Sequence, residues 1–182
     1  MTAVLEKMMT IEETVLLEQR TGIRYELVDG VLHAMAGETR RHKKLAAQLY
    51  RLLFEAATTK QCEWLLEAKI RTVGARYRYP DLVLSCHPGD DPYYLENPCL
   101  IIEVLSESTA ATDSTEKLEE YLKIPTLRQY VLVEQQVERL IVYSKVHQTW
   151  QVQILEQGQL EILCLQATLS LEQIYAGIIS PS

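Results

Sequence analysis

At 182 residues, 47% of them hydrophobic, the chain has the length and apolar content for a single domain spanning 1–182 with a full core. The net charge of −7 excludes a protein that grips duplex DNA through a uniformly basic surface. No apolar run approaches the length of a membrane span, and the start lacks the basic-then-apolar pattern of a secretory signal.

Thr10-Ile11-Glu12-Glu13 reads as a capping box that opens a short helix, which runs to about Gln19 and ends before Gly22. Segments 24–28 and 31–35 flank Asp29-Gly30, a strong hairpin signal. A long helix is predicted from about Thr39 to Thr58, with Leu45, Leu49, Leu52, Leu53 and Ala56 on one stripe. His42 falls on that stripe too, three residues before Leu45 and seven before Leu49, where a core histidine is the ordinary reading. Residues 62–73 and 79–85 read as strands joined through Gly74, and 98–105 as a third. Asp113 or Ser114 is expected to cap the next helix, which ends before Pro125. Strands at about 129–134, 139–144, 149–155 and 160–164 follow, and Leu169 to Tyr175 reads as a final short helix. The helix after 98–105 is a crossover, so 98–105 and 129–134 should be parallel neighbours or near neighbours in the sheet. The expected fold is α/β, a central mixed sheet flanked by helices. Cys62, Cys86, Cys99 and Cys164 show no paired spacing, and all but Cys86 sit in apolar segments. Reduced core thiols in a cytoplasmic protein are therefore expected.

Two of the strands carry the chemistry. Asp81 in Tyr79-Pro80-Asp81-Leu82-Val83-Leu84 and Glu103 in Leu100-Ile101-Ile102-Glu103-Val104-Leu105 stand where a hydrophobe is expected. A buried ionised carboxylate costs several kcal/mol unless it is paired or binds a metal. Alternation places Ile101, Glu103 and Leu105 on one face, and Leu100, Ile102 and Val104 on the other. Positive charge is local, at Arg40-Arg41-His42-Lys43-Lys44 and at Arg71, Arg76 and Arg78. Either cluster reads as an ordinary solvated face or as a weak nucleic-acid contact through Arg40, Arg41, Lys43, Arg76 and Arg78.

From residue 39 the order is helix, three strands, helix, strand, with Pro80-Asp81 on one strand and Glu103 on the next. That order resembles the PD-(D/E)XK nuclease core and, more narrowly, the Uma-type family of restriction-endonuclease-like proteins. The stretches that carry the resemblance are 24–30, 37–42, Pro80-Asp81-Leu82-Val83, Ile102-Glu103-Val104-Leu105-Ser106, Thr109, and Asp113 with Lys117 and Tyr121. Together they span nearly the whole chain. Two departures stand out. Leu105 occupies the place of the lysine in the broad pattern, and Glu107 stands where the family often has proline.

The resemblance implies a nuclease that cleaves phosphodiester bonds of nucleic acid, DNA above all, with Mg²⁺ or Mn²⁺ as cofactor. It assigns the cation to Asp81 and Glu103, and the relocated lysine to Lys117. Glu26, His42 and Tyr121 become supporting residues. A hard cation held by carboxylates would neutralise the phosphate and acidify a bound water. A homodimer is expected only because two strands need two sites. The alternative is an inactive nucleic-acid- or protein-binding module, in which Glu103 forms a buried ion pair with Lys117.

Overall fold

The computed structural model describes residues 8–35, 37–106 and 115–179. Thr109, Glu107, Asp113 and Ser114, with the expected cap of the helix after residue 112, lie outside the described residues. The order of elements is α1 (Ile11–Thr21), β1 (Tyr25–Val28), β2 (Val31–Ala34), α2 (Arg40–Thr59), β3 (Glu63–Leu66), β4 (Ile70–Arg71), β5 (Tyr77–Arg78), β6 (Leu82–Ser85), β7 (Leu100–Val104), α3 (Glu116–Tyr121), β8 (Gln129–Val133), β9 (Leu140–Val146), β10 (Thr149–Leu155), β11 (Gln159–Ile162), β12 (Ala167–Ser170) and α4 (Leu171–Tyr175).

The local signals work as read. Thr10 and Glu13 form the reciprocal capping box, and Gly22 closes α1 in the left-handed region at φ 69°. Asp29 and Gly30 both take positive φ, 50° and 83°, as a tight two-residue hairpin requires.

A six-stranded mixed sheet in the order β10-β9-β8-β7-β6-β3 forms the centre. Among the described strands of this sheet only β7 and β8 pair in parallel, which is the crossover expected from the helix between them. Its two faces match the alternation in β7. Leu82, Ile102, Val104 and Val131 pack on Leu45, Leu49 and Leu53 of α2 and Ile174 of α4. Val83, Ile101, Leu105, Tyr130 and Leu132 pack on Tyr121 of α3 and on Ile70. A second sheet, β2-β1-β5-β4, lies beside the first and contributes Ile70 to that second core.

Three expectations need correction. The strand over 62–73 is two strands in different sheets. The Glu67 N–H still donates to the carbonyl of Asp81 at 2.9 Å, in register with β3–β6, but its φ of 46° turns the chain out of the sheet there. The strand over 79–85 begins later, at Leu82, because Pro80 has no N–H for a ladder and Tyr77–Arg78 pair in the second sheet instead. The helix over 169–175 starts as strand β12, paired to β11, and becomes helical only after Ser170 caps it.

The cysteines correct a fourth. They form two disulfides, Cys62–Cys86 and Cys99–Cys164, rather than reduced thiols. The pairing is tertiary and so invisible in the spacing. Glu63 opposes Ser85 across the β3–β6 ladder, which sets the preceding Cys62 against the following Cys86, with Cα atoms 4.0 Å apart. Protein denatured without reductant should therefore show no reactive thiol, and all four cysteines should react after reduction. Free thiol before reduction would refute the pairing. Among the described residues no helix is long and apolar enough to cross a membrane.

Candidate active site

The antiparallel register of β6 and β7 pairs Leu82 with Ile102, so one step further Asp81 stands opposite Glu103. Both carboxylates are buried, and they clasp each other's backbone. The Asp81 N–H donates to Oε2 of Glu103 at 3.3 Å, and the Val104 N–H donates to Oδ2 of Asp81 at 2.6 Å. Oε1 of Glu103 accepts from Nζ of Lys117 at 3.1 Å and from the Tyr121 hydroxyl at 3.0 Å. Lys117 and Tyr121, one turn apart on α3, thus reach the same oxygen. Burial, and then the Glu103 charge, push the Tyr121 phenol well above its ordinary value, so it stays a donor at neutral pH.

The N-terminus of α2 closes the other side of Asp81. Nε2 of His42 lies 3.0 Å from Oδ1 of Asp81 and 3.6 Å from Oε1 of Glu38. Thr39 fixes this arrangement by capping the helix: its hydroxyl accepts the His42 N–H at 3.1 Å and donates to Gln135 Oε1 at 2.8 Å. Gln135 is itself buried and donates to the Leu105 carbonyl at 2.6 Å. One hydrogen-bonded chain therefore runs from the cap of α2 to the end of the Glu103 strand. Glu38 is a residue the sequence reading missed. One ligand atom each from Glu38, His42 and Asp81 lies within 4.8 Å of the others.

Behind Lys117 stands a frame of charges from the second sheet. The pairing of Leu27 with Tyr77 sets Glu26 of β1 beside Arg78 of β5. Glu26 lies 3.4 Å from Lys117 Nζ and 2.9 Å from Arg78 Nη1, and it accepts the Tyr79 N–H at 3.3 Å. Arg78 also donates to both oxygens of Glu120, at 3.1 and 2.5 Å. Arg76 spans Glu120 at 3.0 Å and Asp29. Burial pushes the Glu120 carboxyl up, but Arg78, Arg76 and Thr72 outweigh it and hold it below its ordinary value.

The residues expected at a nucleic-acid surface separate accordingly. Arg40, Arg41 and Lys43 are exposed around the first turn of α2, Arg41 reaching Gln136 at 2.5 Å. Arg78 is buried among carboxylates, against Glu26 and Glu120, rather than on the exposed surface. Arg76 is half-buried and held in the same frame. A further buried pair, also missed, anchors α1: Lys69 Nζ lies 2.7 Å from Glu18, which the Tyr79 hydroxyl also reaches at 3.1 Å. It steadies the backbone just before Pro80-Asp81.

Among known proteins, a family model described as "Uma2: Putative restriction endonuclease" matches residues 11–173. Two uncharacterized proteins of Synechocystis sp. (strain ATCC 27184 / PCC 6803 / Kazusa) are each 29% identical to the chain. For slr1290 the match covers 92% of this chain and 91% of the relative, and for sll1609 it covers 77% and 82%. A crystal structure described as a putative nuclease belonging to DUF820, from Anabaena variabilis ATCC 29413, superposes with a TM-score of 0.76. That superposition covers 93% of this chain and 99% of the other at 15% identity, a likeness that establishes the shared fold.

Proposed function

The chain belongs to the Uma2 family, and from that premise we propose that it is a divalent-metal-dependent endonuclease hydrolysing phosphodiester bonds of nucleic acid, DNA in the first instance. The observation that carries this reading is the placement of Asp81 against Glu103 at the ends of two central strands, with Lys117 on Glu103. Two buried carboxylates facing each other across the β6–β7 pairing suit a hard divalent cation, and Asp81 and Glu103 would hold Mg²⁺ or Mn²⁺. The bound cation would supply charge neutralisation at the phosphate and a more acidic water.

The protein's own groups do the rest. Lys117 is a donor near the acids, able to orient a water or pair with a phosphate oxygen. Tyr121, kept protonated by its burial, holds Glu103 in place. Glu26 sets the position of Lys117 from behind. The first turn of α2 presents exposed Arg40, Arg41 and Lys43 to a phosphate backbone, and the helix N-terminus there favours an anion as well.

The experiment is a cleavage assay on single- and double-stranded DNA and RNA with Mg²⁺, with Mn²⁺ and with chelator. Cleavage that appears only with cation supports the reading; a chelator-insensitive rate, or none on any substrate, refutes it. The second reading, a binding module that keeps the fold without catalysis, is favoured by the buried Lys117–Glu103 pair. It requires salt-dependent nucleic-acid binding with no cleavage under any cation.

Lys117→Ala separates the two. As a nuclease the variant should lose about 10²–10³-fold in turnover, the scale for a positioned donor at developing charge. Cation affinity should hold or improve, because the competing ammonium is gone. If the cation no longer binds, Lys117 is purely structural.

A further inference from the structure

Glu38, His42 and Asp81 form a cluster that the Asp81–Glu103 pair does not account for. Glu38 directly precedes the Thr39 cap of α2, four residues before His42, and the turn into the helix brings its Oε1 to 3.6 Å from His42 Nε2. The Thr39–Gln135–Leu105 hydrogen bonds hold that cap against the end of β7, so the cluster sits on rigid elements. His42 and Asp81 are buried and Glu38 is half-buried, with His42 Nε2 facing both carboxylates at 3.0 and 3.6 Å. Lys43 lies 4.0 Å from Glu38 with its side chain 67% exposed, a solvated contact worth little to the cluster.

We propose that Glu38, His42 and Asp81 together form a cation site whose imidazole gives it a preference for Mn²⁺ over Mg²⁺. The inference rests on the nuclease reading only in placing Asp81 at a metal centre. Mg²⁺ favours an all-oxygen octahedron and keeps its waters, whereas imidazole is a good ligand for transition metals. Two carboxylates and one imidazole, with their atoms inside 4.8 Å, are a mixed oxygen and nitrogen donor set. An acidic pair alone lacks the nitrogen donor that strengthens this preference.

The test uses the full chain and two readouts that need no substrate. Pulsed electron paramagnetic resonance of the Mn²⁺-loaded protein should show nitrogen modulation from a directly bound imidazole, lost in His42→Gln. Calorimetric titration should show Mn²⁺ binding weakened about tenfold or more in both His42→Gln and Glu38→Gln, the usual scale for damaging a metal's ligand shell. In His42→Gln the Mn²⁺ to Mg²⁺ affinity ratio should also fall. The spectrum of the wild type keeps the test decisive even where a variant folds poorly. Mn²⁺ bound without nitrogen modulation, no Mn²⁺ binding by the wild type, or unchanged affinities in both variants would overturn the proposal. Cation-dependent cleavage lost in Glu103→Gln alongside any of those results would leave the nuclease reading standing. Conversely, nitrogen modulation in a protein that cleaves no nucleic acid would keep the cation site and remove the nuclease.

Discussion

Glu103→Gln should abolish cation-dependent cleavage, by about 10³-fold or more, while the domain stays folded. An amide oxygen is a poor substitute for a carboxylate around a hard cation, so the loss falls on chemistry. Stability is buffered by two opposing effects. Removing the charge relieves repulsion between Glu103 and Asp81, which the β6–β7 register sets opposite one another. It also weakens the Lys117 and Tyr121 hydrogen bonds to Oε1. Lys117 is not stranded, because Glu26 remains 3.4 Å away. The net change should stay within about 1 kcal/mol, a shift of a few degrees in melting temperature for a domain of this size. Cleavage rates and thermal melts on the same preparation check both halves. Wild-type cleavage in the variant would sink the assignment of Glu103, and a collapse in stability would favour the ion-pair reading.

Why Asp81 and Glu103 were legible and Glu38 was not is a matter of background. A carboxylate inside Leu-Ile-Ile-Glu-Val contradicts its neighbours, and period-two alternation then assigns it a buried face, which the two cores bear out. Glu38 precedes the cap of α2 in a polar stretch, where an acid contradicts nothing. The available signal was its place just before the Thr39 cap, four residues ahead of His42, where the turn into the helix brings the two side chains together. The burial of Arg78 was hidden for the converse reason. In a short strand beside Arg76 it resembles a solvated hairpin cation, and only the β1–β5 register reveals Glu26 beside it. Lys69 and the break at Glu67 were hidden in a run that alternates well enough to pass for one strand. The disulfides were hidden more completely, since residues 62 and 86 meet only once β3 pairs with β6. Period and capping are local properties; register between distant strands is not.

Glu120→Gln should be the most destabilising single polar substitution around the site, although Glu120 touches none of Asp81, Glu103 or Lys117 in the hydrogen bonds that define it. Glu120 takes two hydrogen bonds from Arg78 and one each from Arg76 and Thr72, and Arg78 is itself buried. A guanidinium stays charged at any relevant pH, so the amide leaves a buried cation short of its main partner. Glu26 still holds one edge of Arg78, which places the loss near the lower end of the range for broken buried pairs, about 3 kcal/mol. That corresponds to roughly 6–12 °C in melting temperature for a domain of this size. The pH dependence identifies the cause. The folded-state carboxyl of Glu120 lies below its ordinary 4.5, so its contribution is fully present above that value and is lost as pH falls through the lower folded one. The gap between wild type and variant should therefore be constant from neutral pH down to about pH 5 and should narrow as acidification proceeds below the ordinary carboxylate range. Thermal melts across that range check it. A gap that persists unchanged into strong acid would mean that Glu120 acts through packing. The same variant should also slow any cleavage, because the Arg78–Glu26 edge that positions Lys117 depends on Glu120 to hold Arg78 in place.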